Sequence, residues 1–145
     1  MVFLSDSEDS TLEFGRQLAK QLQFGEVLAL YGDLGAGKTV LSRGIALGLG
    51  ITEAVTSPTF TVVQEYKLPA KKYLFHLDMY RIETPEAAIA FGIEDFLFAP
   101  DAITIVEWPE RIEPLLADNR CRRITLSHME RDIRRLEISA RLASP

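Results

Sequence analysis

The chain has 145 residues, of which 47% are hydrophobic and 26% are charged, with a formal net charge of −5. This composition is typical of a soluble globular protein, and no apolar run approaches the ~20 residues needed to span a bilayer. Residues 1–6 lack a basic segment of the kind that opens a signal peptide, and Cys121 is the only cysteine, which excludes an internal disulfide. We therefore expect one domain over residues 1–145 and a cytoplasmic location.

Charge is distributed unevenly along the chain. Residues 1–119 contain 9 Lys and Arg against 18 Asp and Glu, whereas residues 120–145 contain 7 Arg against 3 acidic residues. An acidic body disfavours broad contact with nucleic acid. The arginine-rich end is compatible with a solvated face of two strands, which we favour, or with a surface that binds phosphate or an acidic partner.

The first half of the chain predicts a helix, a strand and a second helix. A capping-box pattern at residues 10–13, Ser-Thr-Leu-Glu, predicts a helix over residues 11–23. The apolar run at residues 27–31 predicts a buried strand. Helix-forming residues follow at 40–47, and Gly48 and Gly50 are expected to end this helix.

The segment between that strand and helix carries the most specific motif. Residues 32–39 read Gly-Asp-Leu-Gly-Ala-Gly-Lys-Thr, which fits the phosphate-binding loop pattern. Glycines allow the backbone N–H groups to converge on phosphate at the positive end of the following helix. Lys38 is expected to reach the β- and γ-phosphates, and the Thr39 hydroxyl is expected to bind Mg²⁺. An accidental glycine-rich turn is the alternative, which the flanking strand and helix disfavour.

The rest of the chain predicts mainly strands, at residues 60–67, 72–79, 102–106, 123–129 and 133–140. Turns at residues 68–71 and 130–132 make two antiparallel hairpins. Helical segments are expected from Thr84-Pro85 to about residue 98, interrupted near Gly92, and at residues 111–116. Because only one strand–helix unit precedes these hairpins, we expect an α/β fold: a P-loop NTPase-like mixed sheet flanked by helices.

Two carboxylates follow apolar strand residues and are candidate partners of the metal. Glu107 ends the strand at residues 102–106, and Asp78 lies late in its own strand. One would bind Mg²⁺ directly or through water, and the other would position the attacking water. A strand-end turn for Asp78 and a helix cap for Glu107 are the alternatives. His76 shares a face with Asp78, but a lone histidine is more often a hydrogen-bonded structural residue than a base.

Two further features remain open at this point. Trp108 is either a core residue or a neighbour of the nucleotide. The loop at residues 56–61 is either a switch that responds to the γ-phosphate or an ordinary polar turn.

Four segments together resemble the bacterial TsaE (YjeE) family of small P-loop ATPases. They are residues 32–39, Ser-Pro-Thr-Phe at 57–60, His-Leu-Asp-Met-Tyr-Arg at 76–81 and Glu-Trp-Pro-Glu at 107–110. These segments occur in the family's order and spread over most of the chain. One departure is Val40, where many members have a second threonine. The metal-binding hydroxyl is the preceding one, so we expect no loss of function.

The resemblance implies a part in making threonylcarbamoyladenosine, the modified base beside the anticodon of tRNAs that read codons beginning with A. In that family the ATPase binds a TsaB–TsaD pair, which holds the tRNA and performs the transfer, and hydrolyses ATP to support repeated turnover. The implied cofactors are ATP and Mg²⁺, and tRNA would be contacted mainly through the partners, without a membrane.

The resemblance also implies roles for individual residues. Lys38, Asp78 and Glu107 would be catalytic, and Thr39 and Glu107 would bind Mg²⁺. The start of the first helix, residues 8–11, would approach the adenine. The implied nucleotide-binding residues are Thr11, Gly32, Leu34, Gly35, Ala36, Gly37, Lys38 and Thr39.

Two other functions are compatible with a P-loop. A small-molecule kinase would transfer phosphate to a metabolite, but no segment is long enough for both a lid and a substrate-binding helical insert. A nucleotide-dependent binding module without turnover would keep its function when Asp78 or Glu107 loses its charge.

Overall fold

The computed structural model describes residues 1–33, 35–53 and 62–139. Within these ranges the chain forms seven strands: β1 (Val2–Ser5), β2 (Val27–Tyr31), β3 (Val63–Leu68), β4 (Lys72–Asp78), β5 (Ala102–Glu107), β6 (Cys121–His128) and β7 (Arg134–Ile138). The α-helices are α1 (Glu8–Ala19), α2 (Lys38–Gly48) and α3 (Pro85–Phe91), and 3₁₀ segments lie at Pro69–Lys71, Ile93–Asp95 and Pro109–Leu116. None of the helices described has the length and hydropathy to cross a membrane.

The strands form one mixed sheet in the order β1-β7-β6-β2-β5-β4-β3. β2 lies at the centre and is parallel to both β5 and β6, and β4 is parallel to β5. The outer pairs, β3 with β4, β6 with β7 and β1 with β7, are antiparallel. The predicted mixed sheet with two hairpins is therefore confirmed. Its central parallel strands direct their carboxyl ends to one edge, where ligands bind in open α/β sheets.

Both faces of the sheet are covered, which explains the unbroken apolar run of β2. Leu28 and Leu30 pack in a cluster with residues of α1 and α2. Val27 and Ala29 pack on the opposite face, with residues of α3 and the Pro109–Leu116 segment. All four side chains are fully buried. A strand buried on both faces is apolar at every position rather than at alternate ones.

Helices α1 and α2 approach closely because glycine lies at their contact. A Cβ added at Gly15 would lie 2.8 Å from the Leu41 carbonyl oxygen, and one added at Gly44 would overlap the Leu12 carbonyl oxygen. A larger residue at either position would push the two helices apart. This contact fixes the position of α2, whose first residue is Lys38.

The predicted boundaries of the first helix are wrong at both ends. Helix α1 begins at Glu8, because Ser7 rather than Ser10 is the N-cap and its hydroxyl accepts a hydrogen bond from the Ser10 N–H at 3.0 Å. Glu13 does not complete a capping box, since its carboxylate accepts a hydrogen bond from Gln17 Nε2. The helix ends at Ala19 instead of residue 23, and the chain then turns into β2.

Other local predictions agree with the structure more closely. The Thr84 hydroxyl caps α3 by accepting a hydrogen bond from the Ala87 N–H, and Gly92 ends this helix in a left-handed conformation. β2 and β5 match their predicted positions, α2 begins two residues early at Lys38, and β3 begins at Val63. Strand β1 was not predicted. Leu34, the loop at residues 56–59 with its extension to 61, and the predicted strand ends at residues 60 and 140 lie outside the described residues.

Candidate phosphate-binding site

The loop between β2 and α2 has the curled backbone that its glycines predict. Gly32, Gly35 and Gly37 have φ angles of 148°, 81° and 103°, in the region that other residues rarely adopt. Gly32 is required for a second reason, because a Cβ there would lie 2.7 Å from the Leu126 carbonyl oxygen on β6. Gly37 is the N-cap of α2 and offers no side-chain capping bond. Gly37 thus places no side chain over the start of α2, and a helix N-terminus is a place where proteins commonly bind anions.

Lys38 is buried at the first position of α2, with 6% of its surface exposed. Its Nζ donates a hydrogen bond to the Gly32 carbonyl oxygen at 2.7 Å and lies 4.6 Å from the centre of the Trp108 ring. A buried ammonium requires such partners to offset the loss of hydration. The lysine is thus held over the loop by a carbonyl on one side and an aromatic face on the other.

Trp108 adopts a left-handed backbone conformation, with φ 57° and ψ 48°, directly after β5. This conformation is rare for a bulky residue, and such strain is concentrated at functional sites. The indole packs at the edge of the apolar cluster beneath α3 and lies 5.1 Å from the Tyr80 ring between centres. Trp108 therefore belongs to the core through one part of its surface and to the loop through its contact with Lys38.

Asp78 and Glu107 face each other at the carboxyl ends of two adjacent parallel strands. The register of β4 and β5 pairs them directly. Glu107 is 5% exposed, whereas Asp78 is partly buried, and one Asp78 oxygen accepts a hydrogen bond from the Tyr80 N–H at 2.9 Å. The turn interpretation of Asp78 is therefore correct for that oxygen, and the same residue also lies beside Glu107.

The electrostatic environment links Asp78 to the loop. Burial raises the pKa of the Asp78 carboxyl group, and the neighbouring Glu107 carboxylate adds to this rise. The Tyr80 N–H lowers the same pKa, as do the nearby charges of His76 and Lys38. The two predicted acidic residues and the loop lysine thus form one interacting group.

His76 is completely enclosed beside these carboxylates. It is 1% exposed, and its Nε2 lies 2.6 Å from Glu107 Oε2. The expectation of a hydrogen-bonded histidine is confirmed, but its partner is a carboxylate of the site. Sequence reasoning missed this pairing.

A cavity of about 330 Å³ adjoins the loop. Gly35, Gly37 and Val40 line it from the loop and α2, and Thr11 lines it from α1. The Thr11 hydroxyl lies 2.6 Å from Ser5 Oγ, so that group is already engaged within the protein. The volume is in the range of small-molecule sites. The remaining lining residues are Asp6, Ser7, Glu8, Asp132 and Arg134.

Arg134 connects the far end of the chain to the loop. Its Nη2 donates a hydrogen bond to the Gly35 carbonyl oxygen at 3.4 Å. No role was predicted for this arginine, and the only signal that could have indicated one is the arginine-rich composition of residues 120–145. Several of the other arginines there form ion pairs within the protein, as Arg122 does with Glu26.

Comparison with known proteins agrees with this geometry. The family described as "Threonylcarbamoyl adenosine biosynthesis protein TsaE" matches residues 5–136. The chain belongs to the TsaE family. The resemblance carried by the four sequence segments is therefore confirmed, and Trp108 of the last segment contacts Lys38 of the loop.

Individual TsaE proteins are similar over most of their length. The tRNA threonylcarbamoyladenosine biosynthesis protein TsaE of Synechocystis sp. is 47% identical over 120 residues, which are 79% of this chain and 74% of that protein. The protein of the same name from Haemophilus influenzae is 40% identical over 116 residues, or 77% and 72% of the two chains. The crystal structure of Bacillus subtilis YdiB matches with a TM-score of 0.81 and 30% identity, covering 97% of this chain and 85% of that chain.

Proposed function

We propose that this chain is a Mg²⁺-dependent ATPase that acts in tRNA threonylcarbamoyladenosine biosynthesis together with a TsaB–TsaD-type complex. Membership of the TsaE family supports the pathway. The observation that carries the ATPase assignment is the grouping of a glycine-built loop, the buried Lys38 and the facing carboxylates of Asp78 and Glu107 at one edge of the sheet.

Nucleotide binding is assigned to the loop and the adjoining cavity. The backbone N–H groups of residues 34–39 would hold the phosphates, and Lys38 would exchange its contact with the Gly32 carbonyl for phosphate oxygens. The cavity lined by Thr11, Val40 and Arg134 would take the adenosine end of the nucleotide. Its position directly beside Gly35 and Gly37 supports this division of the site.

Thr39 and Glu107 are assigned to Mg²⁺. Their hydroxyl and carboxylate oxygens are the donor types that this ion prefers, and it usually completes its shell with water and substrate phosphates. Among the described residues no three His, Cys, Asp or Glu side chains converge to form a metal cage by themselves. When bound, Mg²⁺ would neutralise charge on the phosphates during hydrolysis.

Asp78 is assigned to positioning the metal or to hydrolysis itself. Its pKa is raised by burial, and it lies beside Glu107 at the end of β4. A carboxylate in such an environment is a candidate for holding the attacking water.

Partner proteins are assigned the contact with tRNA. The acidic charge of residues 1–119 disfavours a direct grip on nucleic acid. ATP hydrolysis by this chain would support repeated turnover of the partner complex in the cytoplasm.

The test is steady-state ATP hydrolysis by the pure protein, with and without the TsaB–TsaD pair and tRNA. We expect weak hydrolysis alone and a clear change of rate when the pair is added. Lys38→Ala is the control, because loss of the lysine should remove hydrolysis in both conditions. An ATP hydrolysis rate that does not change when the TsaB–TsaD pair is added, but does change with a small metabolite, would favour a small-molecule kinase instead.

A further inference from the structure

His76 and Glu107 form a buried polar pair at the edge of the proposed metal site. In the parallel register of β4 and β5, His76 lies opposite Ile105, and Asp78, two residues further on, lies opposite Glu107. The side chain of Glu107 therefore reaches back along the sheet to His76, whose Nε2 is 2.6 Å from Oε2. Both residues are almost fully buried, at 1% and 5% exposure.

Stability alone does not account for a polar pair at this position. Leu74 precedes His76 on the same face of β4, and Ile105 is its partner on β5; both are fully buried. An apolar residue at position 76 would continue this surface. Replacement of a buried charged or polar pair by apolar residues is often neutral or stabilising, so the pair is better explained by what it does to Glu107.

The hydrogen bond defines the orientation of both partners. A carboxylate is an acceptor, so Nε2 carries a hydrogen and the Nε2–H group donates a hydrogen bond to Oε2. The other ring nitrogen, Nδ1, is buried and has no hydrogen-bond partner among the described residues. The bond to Glu107 is thus the polar contact that fixes the imidazole, and the rigid ring in turn fixes the rotation of a flexible side chain.

We propose that His76 is a positioning residue that orients the Glu107 carboxylate toward the divalent metal of the bound nucleotide. Because His76 holds Oε2, the Glu107 carboxylate has a fixed orientation in which it would meet the metal directly or through water. The inference rests on the proposed assignment of Glu107 to Mg²⁺. Residues that hydrogen-bond to a ligating group typically change metal affinity by about 10- to 100-fold when removed.

The test measures metal binding without catalysis. The Kd of a non-hydrolysable ATP analogue, AMP-PNP, is determined with Mg²⁺ and with EDTA. The Kd in EDTA divided by the Kd with Mg²⁺ is the ratio that reports the contribution of the metal. We expect His76→Leu to reduce this ratio about tenfold. His76→Gln should retain most of it, because the glutamine amide can place an N–H near the Nε2 position.

Two controls separate positioning from general destabilisation. Thr104→Val removes another buried polar group of the sheet, whose hydroxyl donates to the Phe96 carbonyl oxygen at 3.0 Å, and it should leave the ratio unchanged. If His76→Leu does not fold, His76→Asn replaces it. The shorter asparagine amide cannot reach Glu107, so the Kd ratio of this variant should fall, whereas that of His76→Gln should stay near the wild-type value. Equal ratios for the Asn and Gln variants would overturn the proposal.

Glu107→Gln, alone and combined with His76→Leu, separates the positioning role of His76 from the assignment of Glu107 to Mg²⁺. Glu107→Gln should reduce the ratio, and adding His76→Leu to it should cause no further loss. A reduced ratio in Glu107→Gln with a wild-type ratio in His76→Leu would overturn the role of His76 and leave the proposed function intact. If the double variant showed a lower ratio than Glu107→Gln alone, the proposed role of His76 would also be overturned. A wild-type ratio in Glu107→Gln would refute the metal assignment and the role of His76 with it.

Discussion

The Nζ of Lys38 lies 4.6 Å from the centre of the Trp108 ring while donating a hydrogen bond to the Gly32 carbonyl oxygen. The loop lysine is therefore held by the protein itself through contacts that phosphate oxygens would replace. Because Trp108 is the only tryptophan, tryptophan fluorescence reports on the surroundings of this one ring, which include Lys38.

Nucleotide binding is expected to change tryptophan emission. As Lys38 turns from the indole to phosphate, the ring loses an adjacent positive charge, which alters its emission. Titration with AMP-PNP should give a saturable change in the wild type and a smaller one in Lys38→Met. Emission that stays constant at saturating nucleotide would show that the Lys38–Trp108 contact persists in the bound state.

Thr39→Ala should weaken the Mg²⁺ dependence of nucleotide binding more than nucleotide binding itself. The substitution removes the proposed metal-binding hydroxyl but keeps the backbone N–H that would hold phosphate. The measurement is the Kd of AMP-PNP with Mg²⁺ and with EDTA. Thr39→Ser, which restores the hydroxyl, is the matched control and should behave as the wild type. A normal Mg²⁺ dependence in Thr39→Ala would exclude this residue as the ligand.

Asp78→Asn should abolish hydrolysis while leaving nucleotide binding and the folded state intact. Burial raises the pKa of Asp78, so the folded protein binds this proton more tightly than the unfolded chain does. Ionisation of Asp78 therefore lowers the free energy of unfolding as pH rises through the ordinary carboxyl pKa toward the raised one.

The Asp78→Asn side chain does not ionise, so this variant does not lose unfolding free energy in that way as pH rises. Denaturant unfolding should show it to be at least as stable as the wild type at neutral pH. Its advantage should shrink as pH falls below the ordinary pKa of aspartate, where both proteins carry a neutral side chain. A variant that is less stable than the wild type at neutral pH and equal to it in acid would reverse the predicted sign. Retained hydrolysis would remove Asp78 from the catalytic residues.

Gly44→Ala should destabilise the contact between α1 and α2. The added methyl group would overlap the Leu12 carbonyl oxygen, and forced overpacking typically costs about 1–3 kcal/mol. Thermal or denaturant unfolding measures this cost. Arg43→Ala, at an exposed position of the same helix, is the control and should change the free energy of unfolding far less. Equal stabilities of the two variants would show that the helices separate without cost.

Local sequence patterns were sufficient to predict the centre of the fold. β2 is a continuous apolar run, β5 is apolar except at Thr104 and Glu107, and the loop between β2 and α2 is specified by glycines whose φ angles are positive. Thr84 and Gly92 act as the predicted cap and stop of α3. These features depend on neighbouring residues only, so they are encoded within short windows of sequence.

Features that depend on distant pairing were not predicted. The contact between His76 and Glu107 joins residues 31 positions apart and requires the parallel register of β4 and β5. Strand β1 has four residues, too few for a clear period, and it is ordered by pairing with β7. Arg134 reaches Gly35 only because β6 and β7 fold back beside the loop.

The pairing of β1 with β7 brings opposite ends of the sequence together. The Met1 amino group donates a hydrogen bond to the Ile138 carbonyl oxygen, and the cavity beside the loop is walled by Ser7 on one side and Arg134 on the other. A chain emerging from the ribosome therefore keeps its first strand unpaired until almost all of the described sequence has been synthesised. The glycines that curl the loop are local in sequence, but its binding cavity can close only after β7 has been synthesised.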